Sequence, residues 1–393
     1  MWPGKAKNDP VNVYLTGAGA SVEAGYPLGD KLLTSINEHL SEPGDAGSSR
    51  PDKVTWNEVC EWLKTNPDGV IREAYRNKNL EYLLTSLDLA GKLFIDTIRP
   101  KTSRSGHYSR SFSTSRVPPE IAYFEAIQPY IKAHKVLLQG LWSYLRKKHH
   151  DDQVACKKQE WEYLYQFAEE ELRRGDNIIT FNYDSTLERV LLARAKWHPG
   201  RGYGFKMDFW RSRSDPTPIE SKESPVIVLH LHGAVGWIQD TFVSKDPNEP
   251  SSITKFSEET IWLESDFLED LGFHAIYPWA EAPSPNGDHL LLYPSFLKSP
   301  GGEPRSHGLT GLWKAAAKAL RDAEKVFLIG YSLPAADTAA AALLVCNCEP
   351  EKVEVVDPSE ATHTRLRGLL RLETKAVPET FRDWLRRRPG TAT

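Results

Sequence analysis

The sequence predicts an α/β fold in which helices flank a parallel sheet and a large, mainly helical insertion follows the first strand–helix unit. Three observations predict it. Short apolar runs alternate with segments of helical periodicity, a glycine-rich turn follows the first run, and residues 17–176 carry little further strand signal. Strands that alternate with helices are typical of parallel sheets, whose ligands bind at the carboxyl ends of the strands.

Five short runs predict the strands of this sheet. Each run is rich in β-branched or aliphatic residues and ends in a turn or a polar residue. Segments with helical spacing follow several of them, at residues 23–40, 185–196, 335–345 and 360–371. The predicted strands are residues 11–16, 177–181, 226–230, 325–329 and 352–356.

The segment between the first two strands predicts a helical insertion. Loops rich in glycine, serine, proline or charge interrupt its helical periodicity at residues 42–53 and 99–117. The helical segments are residues 56–64, 79–96, 119–148 and 154–173. The predicted parts of the chain are a sheet domain of residues 11–40 and 177–385, a helical insertion or cap of residues 41–176, and a basic C-terminal tail of residues 386–393.

Two later stretches, residues 198–223 and 282–302, are rich in glycine, proline or charge and predict long loops. Arginines then cluster at residues 382–388. We interpret this cluster as a solvated helix end rather than a nucleic-acid patch, because positive charge is favourable near a helix C-terminus.

Composition narrows the class of protein. The 393 residues are 40% hydrophobic and 26% charged, which is enough for an ordinary globular core. The net charge of −4 predicts no general attraction to nucleic acid or to anionic membranes. No apolar run approaches the length of a membrane-spanning helix, and residues 1–10 lack the apolar stretch of a signal peptide. We therefore expect a cytoplasmic protein without a membrane segment.

The cysteine pattern predicts no metal centre. None of the four cysteines forms a C-x-x-C pair, so no spacing typical of structural zinc is present. Scattered cysteines in an intracellular chain are typically reduced core residues. They are Cys60, Cys156, Cys346 and Cys348.

A glycine-rich turn is the first motif that indicates a binding function, in this case for a phosphate. Gly17-Ala18-Gly19-Ala20-Ser21 follows the first strand and precedes a helical segment. Glycines permit a tight turn and a close approach to a pyrophosphate, and a helix start offers unpaired N–H groups. Val22 stands where a dinucleotide fingerprint has its third glycine, which makes this a Rossmann-like rather than a standard Rossmann signal.

Polar residues follow the other predicted strands. Asn182 and Asp184 follow the second strand, His232 follows the third, Ser332 the fourth, and Asp357 stands after the last. In a parallel sheet all of these strand ends project to the same edge as the glycine turn. We therefore expect these side chains to form one site.

Each of these residues also has a plain structural explanation. Asp184 is equally well explained as a helix cap, and the same explanation carries less weight for Asn182. Asp357 is explained as a turn residue before Pro358. The segment Gly330-Tyr331-Ser332 fits a strand-to-helix turn. His230 and His232 alternate along the predicted strand, so they are expected to point to opposite faces, and we assign the structural role to His230.

Taken together, these motifs resemble the sirtuin NAD-binding fold. Phe181-Asn182-Tyr183-Asp184 and Leu231-His232-Gly233 are similar to the spellings in sirtuin-like domains of bacterial antiphage defence proteins. The resemblance covers residues 11–40 and 177–385. The segment Gly25–Asp30 differs from the Ala-Pro-Asp-Phe-Arg-like stretch of protein-deacylating sirtuins, and their four-cysteine zinc module is absent from the sequence.

The resemblance implies an enzyme with NAD as its substrate, and a Rossmann-like sheet that binds it. Such enzymes cleave NAD to nicotinamide and ADP-ribose as the toxic effector of an abortive-infection system. His232 is the candidate base, Asn182 would orient a water or a ribose hydroxyl, and Asp184 would bind the nicotinamide carboxamide. The residues expected to contact the rest of NAD are Gly17, Ala18, Gly19 and Ser21 at the pyrophosphate, and Gly330, Ser332 and Asp357 at the phosphate and adenosine ribose.

The resemblance also suggests partners and leaves alternatives open. We expect a homo-oligomer and an activating partner such as a HerA-type ATPase, because unregulated NAD hydrolysis would kill the cell. One alternative is an NAD-dependent protein deacylase or ADP-ribosyltransferase. The other is a non-enzymatic module in which NAD or ADP-ribose binding sets the assembly state.

Overall fold

The structure is a computed structural model, and its description covers most of the chain. The described residues are 10–42, 51–98, 119–155, 159–204, 209–212, 215–219, 223–243, 254–263, 288–291, 307–335, 337–373 and 376–388.

A five-stranded parallel sheet forms the centre of the fold, as predicted. Its strands have the order β10-β9-β1-β2-β5, and every neighbouring pair is parallel. The inner strands are almost wholly buried, which explains why they read as continuous apolar runs. The described strands are β1 Asn12–Thr16, β2 Asn177–Thr180, β3 Phe209–Ser212, β4 Asp215–Ile219, β5 Ile227–His230, β6 Gly233–Val243, β7 Thr254–Leu263, β8 Asp288–Leu291, β9 Lys325–Ile329 and β10 Val353–Val356.

Helices flank the sheet and build the insertion. Short 3-10 segments at Val22–Ala24, Gln159–Trp161 and Pro350–Lys352 and a π-helix at Phe167–Glu171 join them. The described α-helices are α1 Ala18–Ser21, α2 Gly29–Ser41, α3 Lys53–Thr65, α4 Gly69–Arg76, α5 Leu80–Ile98, α6 Pro119–Ala155, α7 Glu162–Gln166, α8 Thr186–Ala193, α9 Pro199–Gly202, α10 His307–Asp322, α11 Thr338–Asn347, α12 Glu360–Leu370 and α13 Phe381–Arg387.

The first sheet connection lies at a topological switch point. Strand β1 pairs with β2 on one side and with β9 on the other. The chain builds β2 and β5 on the first side and returns to build β9 and β10 on the second. Ligands of open parallel sheets bind at the point where the strand order reverses, beyond the carboxyl ends of the strands. In this fold that point lies between the ends of β1 and β9.

The helix predicted at residues 23–40 does not directly follow the glycine turn. Only one turn of helix, α1, forms there, and Gly25 then adopts a left-handed conformation with φ 91°. Helix α2 begins at Gly29. Gly25 and Pro27 separate the two helices, because a left-handed residue ends a helix and proline lacks the N–H of a helix interior.

The chain divides into two compact units, residues 1–28 with 145–393 and residues 29–144. These boundaries differ from the predicted ones at residues 40 and 176. Helix α2 belongs to the second unit, where it packs on α3 and α5. The segment after α6 belongs to the first unit, where the Tyr163 hydroxyl donates to the Ala20 carbonyl at 2.8 Å.

Several elements were not predicted. Helix α4 and the antiparallel pairs β3–β4 and β7–β6–β8 lie in segments that carry no clear periodicity. The predicted loops at 198–223 and 282–302 therefore contain α9, β3, β4 and β8. Residues 43–50, the predicted loop 99–117 and Cys156 lie outside the described residues, as do most of 282–302.

The basic cluster forms the end of a helix, but its arginines are paired. Arg387 Nη2 lies 2.6 Å from Glu379 Oε1, and Arg388 Nε lies 3.2 Å from Glu171 Oε2. Trp384 of the same helix is buried. Residues 389–393 lie outside the described part of the chain. In the part that is described, none of the helices combines the length and apolarity needed to cross a membrane.

Candidate active site

The glycine turn packs directly against the turn at the end of β9. The Gly17 N–H donates to the Ile329 carbonyl at 3.1 Å, and the Gly19 N–H donates to the Gly330 carbonyl at 2.9 Å. A Cβ atom on Gly17 or Gly19 would lie 2.8 Å from backbone atoms of Gly330, and Gly330 itself has φ 58°. All three glycines therefore allow two chain turns to touch at the switch point.

These bonds correct part of the predicted phosphate chemistry. The amides of Gly17 and Gly19 already donate to carbonyls of the neighbouring turn, and Ala20 donates to the Gly17 carbonyl. Of the helix-start N–H groups expected to face a phosphate, those of Gly19 and Ala20 are therefore already paired within the protein. The dipole of a long helix is also absent, since α1 has four residues. The features of the turn that are still available to a phosphate are its shape and the amide of Ala18.

Asn182 is anchored to the glycine turn. Its Nδ2 atom donates to the Gly17 carbonyl at 2.9 Å and to Ser21 Oγ at 3.1 Å. The Gly17 carbonyl can only accept, so the orientation of the amide follows from its partner. With both N–H groups committed, the side chain's remaining polar atom is Oδ1, which is a hydrogen-bond acceptor.

Asp184 is a buried carboxylate beside Ser21. Its Oδ1 atom accepts from the N–H of Thr186, the first residue of α8, at 3.0 Å. The capping geometry is therefore present, although Ser185 is the N-cap residue itself. Burial raises the pKa of the Asp184 carboxyl, while hydrogen bonds from Thr186 and Ser21 oppose that rise. A buried carboxyl with a shifted pKa is a common feature of functional sites.

The end of α6 supplies a second buried carboxylate that sequence reasoning missed. The Tyr26 hydroxyl donates to Asp152 Oδ2, and Lys148 Nζ lies 3.2 Å from Asp152 Oδ1. Burial raises the pKa of the Asp152 carboxyl. Burial also raises the pKa of the Tyr26 phenol, and the nearby charges of Asp184 and Asp152 add to that rise. No pattern in the sequence indicates that an aspartate near the C-terminal end of this long helix is buried.

His149, one turn earlier on α6, holds the start of α8. Its Nδ1 lies 2.5 Å from Ser185 Oγ, and Arg189 Nη2 lies 3.0 Å from its Nε2. Arg189 also donates to the His149 carbonyl at 2.6 Å. Burial and the Arg189 charge lower the pKa of His149 well below its ordinary value. His149 is therefore neutral near pH 7 and joins α6 to the loop that carries Asn182 and Asp184.

His230 is the last residue of β5 and lies in the interior. Its Nδ1 lies 3.0 Å from the Asn182 carbonyl oxygen, and its Nε2 contacts Glu188. Burial lowers the pKa of His230, but the charge and hydrogen bond of Glu188 raise it more, so the net shift is upward. Both ring nitrogens are thus engaged, which fits a structural role.

His232 lies beyond the strand, so the argument from opposite faces does not apply to it. Its Nε2 lies 3.0 Å from Asp337 Oδ2, and both side chains are buried. The Phe181 ring packs edge-on against the imidazole at a centroid distance of 4.9 Å and stacks on Tyr331 at 4.3 Å. The ends of β2, β5 and β9 therefore meet around His232, and Asp337 joins the site although it was not predicted.

Ser332 and Asp357 occupy the same sheet edge but take no part in this network. Ser332 is exposed in the segment after β9. Asp357 accepts from the Ser359 N–H at 2.8 Å, and its carbonyl contacts His363 Nε2 at 2.8 Å. Asp357 therefore stabilises a turn through its side chain, as the structural explanation predicted. The Gly330 N–H donates to the Val356 carbonyl at 2.9 Å and keeps the ends of β9 and β10 together.

The described histidine, cysteine, aspartate and glutamate side chains form no group of three or more with a metal-binding arrangement. Cys60 is buried, Cys348 is half-buried and Cys346 is exposed, so the expectation of core cysteines is wrong for Cys346.

No protein-family model and no curated protein matches this chain.

Proposed function

We propose that this chain is an NAD glycohydrolase that cleaves NAD to nicotinamide and ADP-ribose. The observation that carries the proposal is that an oriented amide, Asn182, and a carboxylate-paired imidazole, His232, both lie beyond strand ends of a parallel sheet with a switch point. Switch points of such sheets bind nucleotides, and these two groups can orient and deprotonate a nucleophile there.

The chemistry requires little acid catalysis. Heterolysis of the bond between ribose C1′ and the pyridinium nitrogen releases neutral nicotinamide, since that nitrogen is already cationic. Positive charge develops on the ribose, as in glycoside hydrolysis. A water then forms the C1′–O bond and gives up one proton, so NAD and water yield nicotinamide, ADP-ribose and a proton.

The residues divide this task between them. The Oδ1 atom of Asn182 accepts a hydrogen bond from the water or a ribose hydroxyl, and His232 takes the proton, which a neutral imidazole can do near pH 7. Asp184 accepts hydrogen bonds from the nicotinamide carboxamide. Ser332 and Asp357 are proposed to contact the phosphate and the adenosine ribose. A carboxylate on a ribose diol accepts two hydrogen bonds.

The proposal extends to a biological role through the resemblance of Phe181–Asp184 and Leu231–Gly233 to defence-type sirtuin-like domains. On that basis the hydrolase is the toxic effector of a cytoplasmic antiphage system. It works as a homo-oligomer, and a partner such as a HerA-type ATPase activates it.

Product analysis tests the reaction. The purified protein is incubated with NAD, alone and with the candidate ATPase, and the products are separated by chromatography. The proposal predicts nicotinamide and ADP-ribose in equal amounts. With an added acetylated peptide, O-acetyl-ADP-ribose would instead indicate a deacylase, and labelled protein an ADP-ribosyltransferase. Calorimetric NAD binding without any product would indicate a sensing module.

A further inference from the structure

A buried carboxylate from a different strand end faces the candidate base. Asp337 Oδ2 lies 3.0 Å from His232 Nε2, and the two residues are 1% and 2% exposed. His232 follows β5, whereas Asp337 stands before α11, so the contact joins opposite sides of the switch point. A carboxylate this deeply buried needs partners that repay its lost hydration.

The other contacts of Asp337 hold it in one orientation. Its Oδ1 atom accepts from the Ala340 N–H at 3.3 Å, which makes it the N-cap of α11. The Tyr331 hydroxyl donates to Oδ2 at 2.8 Å, and the Tyr331 ring is itself stacked on Phe181. Both carboxylate oxygens are thus fixed by elements of the sheet edge, which leaves the carboxylate little freedom to follow a moving imidazole.

We infer that Asp337 is the positioning residue that sets the tautomer of His232 and stabilises its protonated form. This inference rests on the proposed function, which makes His232 the base. Because Nε2 faces the carboxylate, Nε2 carries the hydrogen and Nδ1 carries the lone pair that accepts the proton. The carboxylate then offsets the positive charge of the imidazolium. At 3.0 Å the Nε2–Oδ2 contact is close but does not have the alignment of a hydrogen bond. Catalytic hydrogen bonds are often poorly aligned until substrate is bound.

The neighbouring histidine shows why the base is His232. His230 also has a carboxylate partner, Glu188, but its Nδ1 lies 3.0 Å from the Asn182 carbonyl oxygen. A carbonyl can only accept, so Nδ1 of His230 must carry a hydrogen. His230 therefore has no lone pair to offer on either side. Titratable groups that face His232 include Asp337, Tyr331 through the same carboxylate, and Tyr183, whose ring centroid lies 6.2 Å away.

The substitution Asp337→Asn tests the inference with little risk to the fold. Asparagine is a good N-cap, so the bond to the Ala340 N–H is kept while the charge is lost. Asp52→Asn makes the same change at the N-cap of α3 and serves as the matched control. Tyr331→Phe is a second comparison, because it removes one hydrogen bond to the carboxylate but leaves its charge.

Two readouts are measured on the full-length protein. In NAD hydrolysis, Asp337→Asn lowers kcat by about 10⁴-fold, as when the carboxylate that sets the tautomer of a catalytic imidazole is replaced by asparagine, with KM little changed. The acid limb of its pH–rate profile moves to lower pH, because the imidazolium loses its counter-charge. In ¹⁵N NMR without NAD, the His232 Nε2 resonance, assigned by its loss in His232→Ala, moves from the protonated toward the unprotonated position. Asp52→Asn changes neither readout.

The two readouts separate the failure of this inference from that of the proposed function. If the wild type hydrolyses NAD and Asp337→Asn keeps its kcat and pH profile, the inference is overturned and the function stands. If the wild type consumes no NAD, the function fails, and NMR alone decides whether Asp337 sets the tautomer of His232. An unchanged His232 resonance in Asp337→Asn would overturn the inference in either case.

Discussion

The side-chain amide of Asn182 donates a hydrogen bond to the carbonyl oxygen of Gly17 at 2.9 Å, across 165 residues of sequence. This bond joins the end of β2 to the turn after β1, and it fixes which way the amide points. The glycine turn therefore holds a candidate catalytic side chain as well as shaping the switch point.

Replacing Asn182 by alanine removes that bond and the acceptor Oδ1. The Gly17 carbonyl keeps the Ala20 N–H as a donor, so loss of the side-chain hydrogen bond costs about 0.5–1.5 kcal/mol of unfolding free energy. NAD hydrolysis should fall by roughly 10²- to 10³-fold, as when one oriented polar group is removed from an active site. Chemical denaturation and initial rates measure the two effects. Ser21→Ala keeps the Gly17 bond, so its loss of activity should be smaller, and an equal loss would contradict the role given to Oδ1.

Asp184→Asn separates the capping explanation from the catalytic one. Burial raises the pKa of Asp184 above its unfolded value, so the carboxyl favours folding at low pH and that contribution is lost as the pH rises through its folded pKa. Asparagine keeps an acceptor for Thr186 and has no charge to bury, so stability at pH 7 should be unchanged or higher. Turnover of NAD should fall about 10- to 100-fold, the value of a charged hydrogen bond to the carboxamide. Full turnover with a lower melting temperature would instead favour the cap alone.

The buried His230–Glu188 pair should give stability a pH dependence. The net pKa of His230 is raised, so its contribution to stability is complete below the ordinary histidine value of about 6.5 and is lost as the pH rises through the folded value. Urea unfolding at pH 6 and pH 9 should show lower stability at the higher pH. In Glu188→Gln this difference should shrink, and an undiminished difference would mean that another group is responsible.

Gly330→Ala tests the close approach of the two turns. A Cβ there would lie 2.3 Å from the Ala20 nitrogen, and the backbone has φ 58°. We expect a loss of about 1–3 kcal/mol or more from overpacking, together with weaker NAD binding. The control is Gly311→Ala on helix α10, where a Cβ meets nothing within 4 Å and stability should rise by about 0.5–1 kcal/mol. Wild-type stability in Gly330→Ala would show that the turns are not in contact.

The sheet was predictable because its strands are buried on both faces. Continuous apolar runs at β1, β2, β5, β9 and β10 need no partner to be recognised. The antiparallel strands β6 to β8 are defined by pairing between distant segments, which periodicity does not reveal. Polar strand ends could be predicted for the same reason as the strands.

The partners of those polar residues could not be predicted in the same way. Glu188 and Asp152 sit within helices, where nothing in the spacing distinguishes a buried acid from a solvated one. Asp337 carried a signal that was missed, since an aspartate before Thr338 is a typical N-cap, whereas we predicted a helix that began three residues before Thr338. The amide bonds of Gly17 and Gly19 depend on the β9 turn, which is remote in sequence.

The central claim is that His232 deprotonates a nucleophile that cleaves NAD. The most direct measurement is the release of nicotinamide from NAD by the wild type and by His232→Ala, with His150→Ala as the exposed-histidine control on α6. The account predicts that the wild type and His150→Ala release nicotinamide and ADP-ribose in equal amounts, while His232→Ala remains folded and releases neither. NAD consumption by His232→Ala at the wild-type rate would contradict it.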